Sequence, residues 1–521
     1  MIYKNPVLRG MYPDPSMCAA NGKYYMVCST FQYFPGVPVF ESEDLINWKQ
    51  IGHCLTRKSQ LLVEKNDTNS GIYAPTIRFN KGRFYMVVTN VENIGNFYVY
   101  TDDIYGEWSD PILVEQSGID PSLFFDDDGK VYFISNGNDS EGRGYIQMSE
   151  IDIATGKKLS ENEPLWYGTG GRFIEAPHMY KFGDYYYLLN AEGGTEYGHM
   201  VNYARSRNIK GPYEPCPANP VLTNRNMGGY PLQGAGHGDI VQATDGTWWF
   251  CHLAFRQPGL YTMYHHLGRE TCMEPVVWKD DWFYIGTPYT KASETVCGEV
   301  TGSGYNEKQG YGQALLEIDY KGEHKFAPQL LSYRKTFANT SIKLDWCYIC
   351  NPDEGKYKLT NEGFEIRSGD KTIDTLTGSP SFIGIRQCEF NETASVVCDM
   401  RNMPKNGAQT GLSVYLDSAH HYDLYLENRG EAVWAVFKVT VGPASCIKKE
   451  FLFNSQKIEF KVEANANGYN FYADGKTMGY ADTKYLSSEV AGGFTGVFYG
   501  LYAQNGGAAK FTDLCIEHIE A

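Results

Sequence analysis

Three acidic residues stand in stiff, proline-marked settings in this sequence: Asp14 in YPDPS, Asp120 in GIDPS and Glu175 in FIEAPHM. Asp14 lies between two prolines, just ahead of the strand-like run YYMVCS. Proline fixes its own φ and pushes the preceding residue toward extended backbone, so such a carboxylate is held in a defined direction. Carboxylates that converge in an aromatic-lined pocket suit cleavage of glycosidic bonds. One must be protonated to donate to the leaving oxygen, and another ionised to activate water or attack carbon. Their surroundings must therefore push the two pKa values apart. Glu175 has the longer side chain and apolar neighbours, which fits the acid. Asp14, held by prolines, fits a base that positions one water. Asp120 then tunes and orients, since a negative neighbour raises the pKa of an acid.

These residues need a frame that brings them together, and the chain repeats one. A glycine, a polar residue and a run of aromatic and aliphatic residues recur as GKYYMV, GRFYMV, GKVYFI, GDYYYL and GTWWFC, starting at Gly22, Gly82, Gly129, Gly183 and Gly246. Each reads as a turn followed by a strand. Periods of about 50 residues with several short strands each indicate propeller blades. Just before each copy stand YPDPSM, YAPTIR, IDPSLF, IEAPHM and HGDIVQ. The first strand of a blade lines the propeller axis, so Asp14, Asp120 and Glu175 converge at one end of it, with His237 beside the equivalent place of the fifth blade.

The repeat stops near residue 285, and residues 286–316 are rich in Gly, Thr and Ser. From about 317, strand-like runs such as ASVVCDM, GLSVYLD, HYDLYLEN and AVWAVFKVTV continue to the end and predict a β-sandwich. The expectation is an all-β chain. A five-bladed propeller spans 1–300, a crossover 301–316, and a jelly-roll-like sandwich 317–521, which closes the site.

Composition fits this reading. The 521 residues exceed one ordinary domain, and 40 Tyr, 9 Trp and 55 Gly suit strands, tight turns and sugar-stacking surfaces. A net charge of −16 argues against nucleic acid or anionic membranes as partners. The start MIYKNPVLRG lacks a basic stretch followed by an apolar one, so a soluble, cytoplasmic chain is expected. The 13 cysteines read as free thiols in a reducing compartment, including the lone C-x-x-C of Cys347 and Cys350. The acidic run at 126–129 lacks the ligand spacing of an EF-hand and reads as a hairpin turn.

Taken in order, NPVLRGMYPDPS, DLINWKQIGH, GIYAPTIR, GIDPSLFFDDDGKVYF, RFIEAPHMYK, AEGGT, GHGDIVQ, NPDEGKYKLT and GFTGVFYG resemble glycoside hydrolase family 43. The likeness is to its β-xylosidase and α-L-arabinofuranosidase branch with a C-terminal β-sandwich. The resemblance implies an inverting hydrolysis with Asp14 as general base, Asp120 as pKa modulator and Glu175 as general acid. An inverting pair leaves room for a water, so the two carboxyl groups are expected roughly 6.5–9.5 Å apart. It further implies Phe31 and Tyr73 as walls of the terminal-sugar pocket and Thr195 as a pocket residue. Tyr73 stands where Trp is common, and EGGTEYGH departs from the usual order, so the resemblance assigns no specific roles to Glu196 and His199 and leaves them open. Arg269 is implied to bind sugar hydroxyls, against the alternative of a structural ion pair. Phe498 is implied to reach over from the sandwich and close the pocket, against the alternative of a core residue. His237 is implied to touch a calcium ion in the central channel through a largely water-filled shell; a hydrogen-bonded core histidine is the other reading.

The expected function is exo-acting release of terminal α-L-arabinofuranose, β-D-xylose or both from hemicellulose oligosaccharides such as those of xylan and arabinoxylan, with no organic cofactor. An endo-acting arabinanase needs an open groove that a closing sandwich would block. A non-catalytic sugar-binding propeller would have no reason to keep all three carboxylates.

Overall fold

The computed structural model describes residues 1–64, 67–286, 312–360, 363–400, 403 and 406–520. Five consecutive four-stranded antiparallel sheets form the propeller. Their innermost strands are Ser16–Ala20, Gly71–Asn80, Ser122–Phe125, Glu175–Phe182 and Leu232–Gln242. The five repeat glycines each end an inner hairpin with φ between +58° and +88°, a conformation open to glycine at no steric cost. This is the reason the glycine pattern marks the blades.

The ring closes where blade five meets blade one. Asp239 Oδ2 accepts from Ser16 Oγ (2.6 Å) and from the Met17 amide (3.2 Å). The N-terminal segment also runs along blade five, with the Val7 amide donating to the Thr271 carbonyl (2.8 Å). Arg78 of blade two donates to Asp239 Oδ2 (2.7 Å) and meets His178 Nδ1 of blade four (2.8 Å). Four blades thus share one polar knot near the axis. Asp239 is fully buried, and such a charge is tolerable only with partners of this kind.

The second domain consists of two antiparallel eight-stranded sheets packed face to face. Its core is built from alternating residues such as Ile383, Ile385, Val414, Leu424, Phe460 and Leu501. Among the described residues the only α-helix is the four-residue turn Ser488–Ala491. One sheet is not confined to this domain. The short strand Tyr33–Phe34 of blade one pairs with Trp346–Ile349 at its edge. Arg386, 2 % exposed, donates from Nε to the Met11 carbonyl (2.8 Å) and lies over the Tyr12 ring.

The boundary differs from the expected one. Glu317–Asp319 pairs with Ile2–Lys4, and Tyr320 and Phe326 pack into the propeller core beside Tyr3 and Trp249. The sandwich therefore begins near its first strand, Tyr333–Thr336, rather than at 317. Most of the expected crossover, 301–311, lies outside the described residues. The cysteines among the described residues are free, and Cys347 and Cys350 are buried.

Candidate active site

The YPDPS stretch is anchored at every step. The Tyr12 amide donates to the Arg269 carbonyl (3.1 Å), the Thr271 hydroxyl donates to the Tyr12 carbonyl (2.6 Å), and the Ser29 amide donates to the Pro13 carbonyl (3.1 Å). Asp14 itself is left-handed, at φ +55°. The same sign of φ recurs at Phe31, Asp120, Phe173, Ala176 and His237. Non-glycine residues in this region are strained, and strain of this kind gathers where surrounding structure must aim a side chain.

Asp14 is 5 % exposed. Ser29 Oγ donates to its Oδ2 (2.6 Å) and Arg269 Nη1 to its Oδ1 (2.9 Å), with His237 Nδ1 3.7 Å away. Burial alone would raise its pKa. The Arg269 and His237 fields and the Ser29 hydrogen bond outweigh burial and hold the carboxyl below its ordinary value.

Glu175 behaves in the opposite way. Burial first, and then the Asp14 charge, push it from 4.5 up to about 7. Asp120 is also held well above the usual range by burial, by Glu175 and by Asp14, although the Ala176 amide offers it a hydrogen bond. Near neutral pH the site thus contains one carboxylate held ionised and a neighbouring pair that retains protons. Asp120 and Glu175 titrate together. Their shared environment keeps the acid protonated.

The walls are aromatic. Phe31 meets Tyr73 edge-on (5.5 Å between centroids) and lies stacked against Phe494 (5.8 Å, 20°). Tyr73 is anchored through its hydroxyl to the Asn69 carbonyl (2.6 Å), and the Phe494 amide donates to Asn69 Oδ1 (3.1 Å). Arg269 Cζ lies 5.7 Å from the Phe31 centroid and 5.5 Å from that of Phe494. Its Nη1 also donates to Thr195 Oγ1 (2.7 Å), while its buried Nε has no protein partner. A buried donor without a partner is costly, and a sugar hydroxyl would satisfy it. Beyond Arg269 and Phe494 a cavity of about 270 Å³ continues, lined also by Thr195, Tyr197, His265 and Glu489.

The structure thus brings Asp14, Asp120, Glu175, Phe31, Tyr73, Thr195, Arg269 and His237 to one place. Phe498 is different. It is fully buried on the sandwich strand Phe498–Gln504 and stacks on Tyr33 (4.4 Å). The residue facing the pocket is Phe494, four positions earlier in FTGVFYG and just before that strand. Glu489 secures this strap by accepting from the His265 amide (3.0 Å) and the Tyr197 hydroxyl (2.9 Å). Glu196 is exposed and ion-paired with Arg172. His199 is buried against the Gly234 carbonyl (3.1 Å), and burial pushes it down to about 3, so it is neutral.

The residues around His237 do not form a protein cage for calcium, so an ion there would be held mainly by water. Calcium takes six to eight oxygens, whereas among the described residues no group of three or more metal-ligating side chains exists. The carboxylate oxygens within reach are committed, Asp14 to Ser29 and Arg269 and Asp239 to Ser16, Arg78 and Tyr180. The cation that neutralises Asp239 is Arg78.

Residues 3–283 match the model for glycosyl hydrolases family 43, and residues 334–516 match that for the β-xylosidase C-terminal concanavalin A-like domain. A non-reducing end α-L-arabinofuranosidase of Bacteroides ovatus is 38% identical over 98% of this chain and 92% of its own. A xylosidase/arabinosidase of Butyrivibrio fibrisolvens is 35% identical over 97% and 96%. Among solved structures, a GH43B protein of a Bacteroides ovatus xyloglucan locus superposes with a TM-score of 0.86 at 35% identity, covering 99% of each chain.

Proposed function

The protein belongs to glycosyl hydrolase family 43, and from that premise we propose that it is an inverting, exo-acting glycosidase that releases terminal α-L-arabinofuranose, β-D-xylose or both from hemicellulose oligosaccharides. The observation that carries the mechanism is the opposite tuning of two carboxyls in one pocket: Asp14 is held down and Glu175 is raised to about 7.

The terminal sugar sits against the cluster of Phe31, Tyr73 and Phe494, with its hydroxyls on Arg269. Glu175 donates its proton to the glycosidic oxygen as the bond to the anomeric carbon breaks. Asp14 takes a proton from a water on the opposite face, and that water's oxygen bonds to the anomeric carbon. Arg269 and Ser29 fix the Asp14 carboxylate so that its free lone pairs face the water. Asp120, positioned by the Ala176 amide, retains its own proton beside Glu175, whose proton is kept by burial and by the Asp14 charge. The Phe494 strap closes one side of the pocket, which favours a single terminal sugar over a chain threading through. No step requires a metal.

Release of nitrophenol from aryl α-L-arabinofuranoside and aryl β-D-xyloside tests this reading. Activity on at least one is expected, with losses of about 10²–10⁴ in Asp14→Asn and in Glu175→Gln on substrates with poor leaving groups. Binding of oligosaccharides without turnover of either aryl glycoside would instead identify a sugar-binding propeller.

A further inference from the structure

Phe173 stands two residues before Glu175, and it is 58% exposed at φ +54°. A large aromatic side chain facing solvent from left-handed backbone is costly twice over, in exposed apolar surface and in strain. The strain is upheld by neighbours. The Arg172 guanidinium lies over the ring (4.9 Å to the centroid), pairs with Glu196 and donates to the Gly193 carbonyl (3.3 Å). The ring rests against Gly194, where a Cβ would come within 3.2 Å of it, so a side chain there would crowd the platform. Gly194 adjoins Thr195, the Arg269 partner, and Glu196 lines the cavity beyond Arg269.

We propose that Phe173, backed by the Arg172–Glu196 pair, is the stacking platform for the sugar on the leaving-group side of the cleaved bond. The inference rests on the glycosidase reading above. The proton of Glu175 must reach the glycosidic oxygen, so the sugar carrying that oxygen lies next to Glu175 on the outward side. Phe173 is the exposed ring adjoining that position in sequence and resting on the pocket-lining loop 193–196. The flanking ions supply the rim with a donor and an acceptor for hydroxyls. The platform therefore selects leaving groups with a pyranose face, as in a xylo-oligosaccharide backbone, over small alcohols.

The test compares two substrates with the same terminal sugar, a xylo-oligosaccharide or its arabinosylated form and the glycosyl fluoride, whose leaving atom is too small to touch the ring. For Phe173→Ala in the full chain, the loss of kcat/KM on the oligosaccharide is expected to exceed the loss on the fluoride by about tenfold, carried mainly by KM. Phe173→Trp should restore the oligosaccharide rate. Phe173→Leu, closer in volume and free of a π face, should behave like the Ala variant and guards against a folding defect. Equal losses on both substrates in the Leu variant, or no loss on either, would overturn the platform. Wild-type protein inactive on both substrates would overturn the glycosidase reading instead.

Discussion

Glu175→Gln should make the protein more stable as well as inactive, and only above a defined pH. In the folded chain the carboxyl is raised from 4.5 to about 7 by burial and by Asp14. Below about pH 4.5 both folded and unfolded chains carry the proton, and the group has no effect on stability. Between about 4.5 and 7 the unfolded chain gives up the proton while the native one keeps it, so stability falls as pH rises. Above about 7 the loss is complete. The gap of about 2.5, at about 1.4 kcal/mol for each pH unit, amounts to about 3–4 kcal/mol. Partial access to solvent at the pocket and the shared titration with Asp120 reduce this to about 2–3 kcal/mol. Gln keeps the shape and cannot ionise. Urea unfolding at pH 4.5 and pH 8 measures the difference between wild type and variant. The expectation is a difference near zero at the lower pH and about 2–3 kcal/mol in favour of Gln at the higher. A difference independent of pH, or one favouring the wild type at pH 8, would refute the account of how Glu175 is kept protonated.

Other consequences are more direct. The kcat/KM profile should lose its alkaline limb at about pH 7 through Glu175, and retain activity on the acid side below the ordinary carboxylate range because Asp14 stays ionised there. Phe494→Ala and Phe498→Ala should separate cleanly. The first raises KM several-fold with little change in melting, whereas the second, in the packed interface against Tyr33, lowers stability by about 3–5 kcal/mol. Treatment with a chelator should change neither melting temperature nor rate, because Arg78 already neutralises the channel carboxylate. Arg78→Met should lower stability by about 3–5 kcal/mol by leaving Asp239 buried and unpaired on that side.

Much of this was legible from local chemistry. The five hairpin glycines and the residues ahead of them encode the blades, because a left-handed turn and a stiff strand entry leave marks in sequence. The carboxylates were legible from their place just ahead of a repeat strand, although Asp14 and Asp120 adopt left-handed backbone rather than the extended form the following prolines favour. What escaped depended on distant contacts. Composition from 286 to 316 says nothing of Ile318 pairing with Tyr3, so the sandwich was expected too early. Two phenylalanines in FTGVFYG look alike in sequence, yet Phe498 opens a buried strand and Phe494 sits on the strap before it. Arg78 stood in YAPTIR without distinction, since only the closed ring brings it to Asp239 and His178.

The anomer formed first bears most directly on whether Asp14 and Glu175 act as a base and acid across a water. Proton NMR of wild-type enzyme acting on a terminal β-D-xyloside or α-L-arabinofuranoside, recorded within the first minutes, reads it before mutarotation. The arrangement predicts α-D-xylose or β-L-arabinose first, with inversion at the anomeric carbon. Initial appearance of β-D-xylose or α-L-arabinose would mean a covalent intermediate on a carboxylate and would contradict the role assigned to Asp14.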